Sequence, residues 1–437
     1  MKFFKRIFVL TLFCAIFTFV ELNAQSGAGS VYSPYSVFGV GDIVPQGSAY
    51  NRSMGGVGIA TRNNRYINYL NPAAISARDT LAFMLDLSIC NDNRYLRQGD
   101  LRSAGNTFNI TNFVLSVPIY RSFAMAVGVT PYSGVSYDFS NYEKQHGIVG
   151  NTGFVEYQAY GEGAMTRAFI SGGVTFWKRL SIGAEFDYYF GNIDKVSNKL
   201  FTAGDLRTTY AGYDMRLWGV GGKFGLQYEQ RFNNNTSLVL GATYQMKTPI
   251  KGMNKEYYHA LLSEVQDSIY VQEMGTDKVS LGDELGVGLA LKTDKLSVEV
   301  NYVIGDWRSS GFSAVRGFAV NTSEGKKFES TISHAIRAGV EYVPNRNDIR
   351  YYHRRMAYRA GAYYETANFT YGGSTITSSG ITLGVTFPVF RWYNGLSIGL
   401  DFGRRGTLQN NLIRETYFRV NASMNIHDIW FQKPKYE

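Results

Sequence analysis

The chain has little cysteine, proline and charge for its length. Of its 437 residues two are Cys and nine are Pro, and Asp, Glu, Lys and Arg make up 18%, against about a quarter in average proteins. Cys14 lies in an N-terminal apolar stretch, so the mature chain carries only Cys90 and an internal disulfide is excluded. The low charge argues against a disordered chain and a coiled coil.

Long hydrophobic runs are also missing. After residue 20 no apolar run approaches the roughly 18 residues that a spanning helix needs, and the mean hydropathy is −0.18. Glycine and aromatic residues, in contrast, are abundant: 47 Gly, and 15% Phe, Trp and Tyr. This composition indicates a large, glycine-punctuated β protein.

The first 24 residues predict a secretory signal. Lys2, Lys5 and Arg6 precede an apolar stretch at 7–20, and the small residue Ala24 precedes Gln25. We therefore expect an exported protein whose mature chain begins near residue 25.

Alternation of apolar and polar side chains predicts β-strands. In residues 296–304 the even positions are apolar, whereas Ser297, Glu299 and Asn301 occupy odd positions. The same period of two recurs along the chain and predicts fourteen strands, at 80–91, 108–120, 122–138, 160–176, 180–193, 212–231, 236–250, 279–292, 295–308, 330–343, 353–367, 378–391, 394–404 and 412–426.

The connections between these strands alternate in length. Six are short, and the seven between them are mostly long and polar, at 92–107, 139–159, 194–211, 251–278, 309–329, 368–377 and 405–411. An antiparallel outer-membrane barrel has short periplasmic turns, long outer loops and an even strand number that leaves both termini in the periplasm. We therefore predict that 80–437 form a 14-stranded transmembrane β-barrel in a Gram-negative outer membrane. The alternative is a periplasmic β protein.

Residues 25–79 lack the strand pattern. The stretches SMGGVGIA at 53–60 and YLNPAA at 69–74 contain closely spaced glycines and a proline, which interrupt regular strands. A fourteen-stranded barrel has a lumen wide enough to hold such a segment. We predict an N-terminal hatch in the lumen, the alternative being a soluble periplasmic tail.

The order of SMGGVGIA, a spacer, NPAA and a first barrel strand resembles the long-chain fatty acid transporter family of outer-membrane proteins, which also has fourteen strands. YSPYSVFGVGD before the hatch and the C-terminal sequence resemble its Bacteroidetes-type members, although seven residues follow Trp430. The resemblance implies a movable hatch. Its residues would be Gly55, Gly56, Gly58 and the turn Asn71, Pro72 and Ala73.

Members of that family admit ligand sideways through a kink in the third strand. The third predicted strand contains Pro131, Tyr132 and Gly134; Pro lacks a ladder donor and Gly permits a bulge. We predict a lateral gate here, the alternative being a bend without function.

The alternation also assigns charged side chains to the lumen. Lys223, Arg337, Arg359 and Arg419 are the candidates for meeting a ligand carboxylate, whereas the alternative for each is a structural ion pair that holds the hatch. The five histidines are scattered, and no metal-ligand spacing or phosphate loop is present. We expect neither an enzyme nor a cofactor.

The longest loop, 251–278, has apolar residues at helical spacing, including Leu261, Val265 and Ile269. A short amphipathic helix over the barrel mouth and simple loop packing are both consistent with it.

These observations together predict a monomeric outer-membrane channel for passive uptake of hydrophobic small molecules, such as fatty acids. Its surroundings are membrane lipid and lipopolysaccharide, and nucleic acid is not expected. The alternative function is an accessory or shuttle barrel of a type IX-like protein secretion system, binding cargo or a partner protein through its outer loops. A purely structural barrel is a third.

Overall fold

A computed structural model describes residues 31–77, 82–120, 122–144, 154–201, 208–233, 235–262, 265–276, 278–319, 327–389 and 395–429. The predicted signal at 1–24 lies outside these residues. Fourteen strands form the wall of the barrel: β2 (Ala82–Gln98), β3 (Leu101–Tyr120), β4 (Phe123–Lys144), β5 (Phe154–Phe176), β6 (Leu180–Phe201), β7 (Thr208–Asn233), β8 (Thr236–Gln245), β12 (Asp283–Thr293), β13 (Leu296–Asp306), β15 (Ile332–Tyr342), β16 (Ala357–Tyr371), β17 (Ser374–Pro388), β18 (Gly395–Arg405) and β19 (Arg414–Ile429).

Other elements lie inside the wall or at its rim. They are the strands β1 (Asp42–Ile43), β9 (Thr248–Leu262), β10 (Val265–Gly275), β11 (Ser280–Leu281) and β14 (Phe328–Ser330), the helices α1 (Ala49–Arg52) and α2 (Tyr352–Arg355), and 3-10 turns at Pro34–Val37, Pro72–Ser76 and Gln409–Asn411. Among the described residues, no helix is long and apolar enough to cross a membrane.

The wall is one closed antiparallel sheet. Each wall strand pairs with its neighbours in chain order, and β19 pairs with β2 from Arg414↔Arg97 to Ile429↔Ala82, which closes the ring. The predicted fold class and strand number are therefore confirmed. Closure matters because a sheet in lipid has no water to satisfy the backbone groups of a free edge.

The outward face of the wall is apolar. On β12, Leu285, Val287, Leu289 and Leu291 are each 43–49% exposed, although leucine and valine are normally buried. The lumen side of the same strand carries Glu284, Gly286, Gly288, Ala290 and Lys292. This inversion is the pattern of a transmembrane barrel, whose apolar band meets lipid.

The two ends of the barrel differ. We call the end with the turns after β3, β5, β7, β12, β15 and β17 the lower end, and the other the upper end. The wall strands run farther toward the upper end than the alternation predicted. The predicted loops 92–107 and 368–377 are strand extensions closed by Gly99–Asp100 and Gly372–Gly373, whose glycines all have positive φ (54° to 73°).

The segment 251–278 contains a hairpin rather than a helix. β9 pairs with the upper part of β7, from Thr208↔Leu261 to Gly219↔Ile250, and β10 pairs with β9. The helical hypothesis for this segment was wrong because the unpaired upper edge of β7 offers backbone partners, and that contact overrides a short local periodicity.

Residues 31–77, which we call the N-terminal segment, lie within the ring. Ile67, Tyr69 and Ile75 form a buried cluster with lumen-facing residues of β2 to β5, among them Met84 and Phe169. The wall therefore encloses a second layer of chain, and apolar contacts hold the two together.

The apolar band makes a testable prediction. Leu289→Lys places a charge near the middle of the lipid face and should lower the free energy of unfolding by about 2–4 kcal/mol, whereas Leu296→Lys, beside the lower turn, should cost only about 0–1 kcal/mol. Equilibrium unfolding of the barrel in phospholipid vesicles measures both. Equal costs at the two sites would contradict a membrane-spanning band centred on Leu289.

Candidate functional site

Glycines in the wall allow the N-terminal segment to lie directly against the strands. A Cβ at Gly173 of β5 would come 2.7 Å from the Pro72 carbonyl oxygen, and a Cβ at Gly183 of β6 would overlap the backbone of Pro72 and Ala73. A Cβ at Gly225 of β7 would overlap the side-chain oxygen of Asn71. Three neighbouring strands therefore need glycine for the turn to approach the wall so closely.

Asn71 fastens that turn by hydrogen bonds. Its Oδ1 accepts from the Ala73 amide at 3.0 Å, and its Nδ2 donates to the Ile59 carbonyl at 2.7 Å and, more weakly, to the carbonyls of Leu226 and Ala242 in the wall. The predicted turn residues Asn71, Pro72 and Ala73 thus lie together at the wall.

The predicted glycines lie on the opposite side. Gly55 and Gly56 have φ of 70° and 79°, and the Gly55 amide donates to Thr382 Oγ1 of β17 at 2.8 Å. A Cβ on Gly55 would press on the Ala338 and Ala362 carbonyls of β15 and β16. Gly58, in contrast, packs inside the segment, where a Cβ would overlap Leu70.

Arg359 connects the wall to the N-terminal segment. Its guanidinium lies 2.9 Å from Glu341 and stacks over Tyr50 (4.4 Å) and Tyr66 (5.1 Å), both in the segment. Arg359 is 4% exposed. In this position it contacts both the wall and the N-terminal segment.

Two of the other predicted cations also have carboxylate partners. Arg419 contacts Asp92 at 3.0 Å and Asp401 at 3.1 Å, and Arg337 contacts Glu365 at 3.1 Å. Lys223 of β7 lies across the strand pair from Glu185. The structural-ion-pair alternative therefore describes Arg359 and Arg419 best.

An ion network at the upper end was missed by the sequence reasoning. Asp42 of β1 contacts Arg405 at 2.6 Å and Arg94 at 3.4 Å, and Arg94 also contacts Glu415 at 3.0 Å and Asp92 at 3.0 Å. The sequence did contain a signal for this network, because the inward-facing positions of β2 continue through Asp92 and Arg94. The signal was hidden because the outward-facing positions become polar at Asn91 and Asn93, and polar residues on both faces are typical of a loop.

The wall has a gap at the predicted lateral gate. Among the described residues, β3 pairs with β4 only as far as Phe113↔Val129, and a bulge at Pro131 interrupts the pairing of β4 with β5. Gly134 pairs instead with Asp42 of β1, and the Tyr132 side chain packs inward against Tyr189. A cavity of about 70 Å³ reaches this gap, lined by Asn109, Thr111 and Pro131 among others.

A larger cavity opens at the upper end, and we call it the mouth cavity. Its volume is about 1110 Å³, and side chains such as Tyr137, Phe139 and Val196 line it together with Lys195 and the 313–319 loop. Beneath it lies an aromatic cluster in which Phe38, Phe312 and Phe369 stack edge to face or tilted.

Lys195 is the buried cation of the mouth cavity. Its Nζ donates to the carbonyls of Val37, Gly39 and Gly317 at 2.8–3.0 Å, and among the described residues no carboxylate forms an ion pair with it. These three carbonyls use all three N–H donors of the ammonium, so it can offer a ligand anion its charge but no free donor.

Below the aromatic cluster the interior contains charged groups. A cavity of about 260 Å³ is lined by Lys223, Glu284, Arg337 and Glu365, and also by apolar side chains such as Ile59, Leu70 and Trp307. A ligand with a long apolar chain would therefore meet both charged and apolar surfaces there. Within the described part of the chain, no three His, Cys, Asp or Glu side chains are arranged to hold a metal ion.

Comparisons with known proteins give a family and a fold. The family model described as BamG matches residues 3–437, and no curated protein matches the chain. Its fold is similar to that of the CymD monoaromatic hydrocarbon channel (TM-score 0.59, 16% identity, 90% of this chain and 100% of that one). It is also similar to the toluene transporter TbuX of Ralstonia pickettii (0.60, 15%, 87% and 98%).

A FadL homologue of Pseudomonas aeruginosa is similar as well (TM-score 0.54, 12% identity, 89% of this chain and 99% of that one). The fold is thus the one described by the family resemblance in the sequence. These three structures are described as a hydrocarbon channel, a toluene transporter and a FadL homologue.

The close contact between the Asn71–Ala73 turn and the wall can be tested by adding a side chain at the contact. Gly183→Val should push the N-terminal segment off the wall and raise ion conductance in planar bilayers several-fold, because its side chain needs space that the turn occupies. Gly172→Val is the matched control, since its Cβ would only meet the Phe123 ring at 3.4 Å. Conductance that stays at the parent level in a folded Gly183→Val barrel would contradict the fit.

Proposed function

This chain belongs to the BamG family, and we propose that it is an outer-membrane channel that takes up hydrophobic small molecules, fatty acids or similar amphiphiles, by passive diffusion. In this proposal the upper end faces outward and the N-terminal segment is the hatch. The prediction that both termini are periplasmic does not fit the N-terminal end, because Tyr32 and Ser33 contact Ser103 and Glu415 at the upper end. The observation that carries it is the mouth cavity, a large, mostly apolar space at the end of a transport-channel fold.

The lining of the mouth cavity favours an amphiphile over a neutral hydrocarbon. Lys195 supplies positive charge beside the side chains of Tyr137 and Phe139. A carboxylate a few ångströms from a lysine gains about 3 kcal/mol at an effective dielectric constant near 20. The apolar tail gains about 0.8 kcal/mol per buried methylene.

The proposed path leaves the barrel sideways. The aromatic cluster and the charged groups of the interior cavity oppose vertical passage of an apolar chain, because desolvating these charges is costly. The gap between β3 and β4 is the shorter route, and it ends beside an apolar depression of about 350 Å³ on the outer wall, lined by Phe113, Val129 and Ile170.

A partner-binding accessory barrel is the second candidate function. The observation that favours it is the close fit of the N-terminal segment in the lumen. Ion pairs hold the segment, and it contacts the wall directly at glycine positions. Mass spectrometry of the detergent-extracted protein separates the two functions. Co-purifying fatty acid supports the channel, whereas a stoichiometric partner protein without lipid supports the accessory barrel.

A substitution at Lys195 tests whether the mouth cavity prefers a fatty acid to a neutral hydrocarbon. Lys195→Met should weaken binding of a long-chain fatty acid about tenfold and leave toluene binding unchanged, because only the carboxylate uses the charge. Calorimetry on the detergent-solubilised barrel measures both. Lys199→Met, on the same strand but exposed and outside the mouth cavity, is the control, and equal fatty-acid affinity in the two variants would refute the role of Lys195.

Asn109 tests the lateral route. Asn109→Trp adds bulk at the gap and should lower fatty-acid uptake into cells at least tenfold while the dissociation constant at the mouth cavity stays at the parent value. Asn93→Trp, on β2 where both edges are paired, is the matched control. Uptake that survives in the Asn109 variant would move the route into the lumen.

A further inference from the structure

The turn between β15 and β16 is the longest at the lower end. It covers residues 343–356 and contains α2, whereas only two or three residues separate the strands at the turns after β3, β5, β7 and β12. Hydrogen bonds within the turn hold its shape. The Asn345 amide donates to the Arg354 carbonyl at 2.8 Å. Asp348 Oδ1 accepts from the Tyr351 amide at 2.8 Å. We call this segment the basic turn after its arginines, Arg346, Arg350, Arg354 and Arg355.

A small cavity lies between the basic turn and the N-terminal segment. Its lining includes Arg65 and Tyr66 of the segment, Glu341 and Thr386 of the wall, and Arg346 and Arg355 of the basic turn. Its volume is about 30 Å³, and one water molecule needs roughly 10–15 Å³. The cavity therefore has room for a compact polar group and not for an apolar chain. The Arg346 side chain is 24% exposed, so the lining is within reach of the solution at the lower end.

Two guanidiniums of this lining carry buried N–H groups without an acceptor. Nε of Arg346 and Nε of Arg355 are both shielded from solvent, and neither donates a hydrogen bond within the described part of the chain. The Arg355 guanidinium stacks over the Tyr352 ring at 5.1 Å, a contact that leaves its N–H groups unused. An unpaired donor on a buried charged group is costly. The cavity therefore favours a ligand that accepts hydrogen bonds from both arginines.

Positive charge exceeds negative charge around the cavity. Arg346 contacts Glu341 at 3.4 Å, and Arg359, behind the lining, contacts the same carboxylate at 2.9 Å. Among the described residues, no other carboxylate forms an ion pair with Arg346, Arg355 or Arg359. Three guanidiniums thus share one negative charge, and a dianion would neutralise the remaining two. Guanidiniums bind phosphate oxygens through directed hydrogen bonds.

We propose that this cavity binds a dianionic phosphate group, with Arg346 and Arg355 as its hydrogen-bond donors and the basic turn holding them in place. A carboxylate matches the site less well, because it carries one charge and two oxygens. Inorganic phosphate and the headgroup of phosphatidic acid present the same chemistry, and the experiment separates these two sources.

The test uses the full-length protein in detergent with inorganic phosphate as the probe. Calorimetry at a pH of about 8, where a phosphate group carries two charges, should detect one site in the parent protein. Arg355→Gln should raise the dissociation constant about tenfold, because a charge and a buried donor are lost. Arg354→Gln is the matched control and should change it less than twofold. Arg354 is the neighbouring residue on α2, but it is exposed and contacts Asp348 at 3.4 Å.

A second measurement needs no variant. Phenylglyoxal modifies arginine side chains, and mass spectrometry of the digested protein reads each site separately. Phosphate should slow the modification of Arg346 and Arg355 several-fold. It should leave Arg350 unchanged, since Arg350 is exposed and lies outside the cavity lining.

Short-chain phosphatidic acid, used as dispersed monomers, separates the two sources of the phosphate group. Tighter binding than that of inorganic phosphate identifies a lipid headgroup as the ligand, because the glycerol and acyl parts then add contacts. Equal or weaker binding identifies free phosphate. Both outcomes support the site.

Three results would overturn the proposal. They are the absence of phosphate binding to the folded parent protein at millimolar concentration, equal losses of affinity in Arg354→Gln and Arg355→Gln, and acetate that competes as strongly as phosphate. None of these outcomes depends on whether the mouth cavity, at the opposite end of the barrel, binds fatty acid.

Discussion

Backbone hydrogen bonding in an apolar solvent is the constraint on which the rest of this structure depends. A sheet in lipid has to close on itself, and the pairing of β19 with β2 does so. The surrounding lipid favours apolar side chains on the outward face, and a closed ring of fourteen strands encloses a lumen wide enough to hold a chain segment. The N-terminal segment occupies that lumen, where it contacts wall glycines and buried ion pairs hold it.

The N-terminal segment is attached to the wall on more than one side. Apolar contacts hold one side, where Tyr69 stacks on Phe169, and ion pairs hold the upper side, where Asp42 meets Arg94 and Arg405. A buried pair is costly to break because the remaining charge stays in a low dielectric. Any movement of the segment therefore has to exchange several such contacts together.

Pairing between neighbouring wall strands is interrupted at the gap between β3 and β4. Pro131 lacks a backbone donor there, and β1 pairs with part of the β4 edge that β3 leaves free. In our proposal this local shortage of backbone partners provides the lateral exit near Asn109.

The sequence by itself determined the fold class, because a period of two with an apolar outward row has one solution in lipid, a closed barrel. It also located the turn at Asn71 and the bend at Pro131, since Pro and closely spaced Gly limit what the backbone can do. The β9–β10 hairpin could not be predicted from the sequence, because the segment is extended only through its pairing with the free edge of β7.

Only the tertiary structure decided which charges meet. Asp42, Arg94, Arg405 and Glu415 are far apart in the chain, and alternation gives the face of a side chain but not its height in the barrel. The surroundings of Lys195 could not be predicted for the same reason, since its carbonyl partners come from the N-terminal segment and the 313–319 loop. Strand stagger, which closure alone sets, brings these groups to one level.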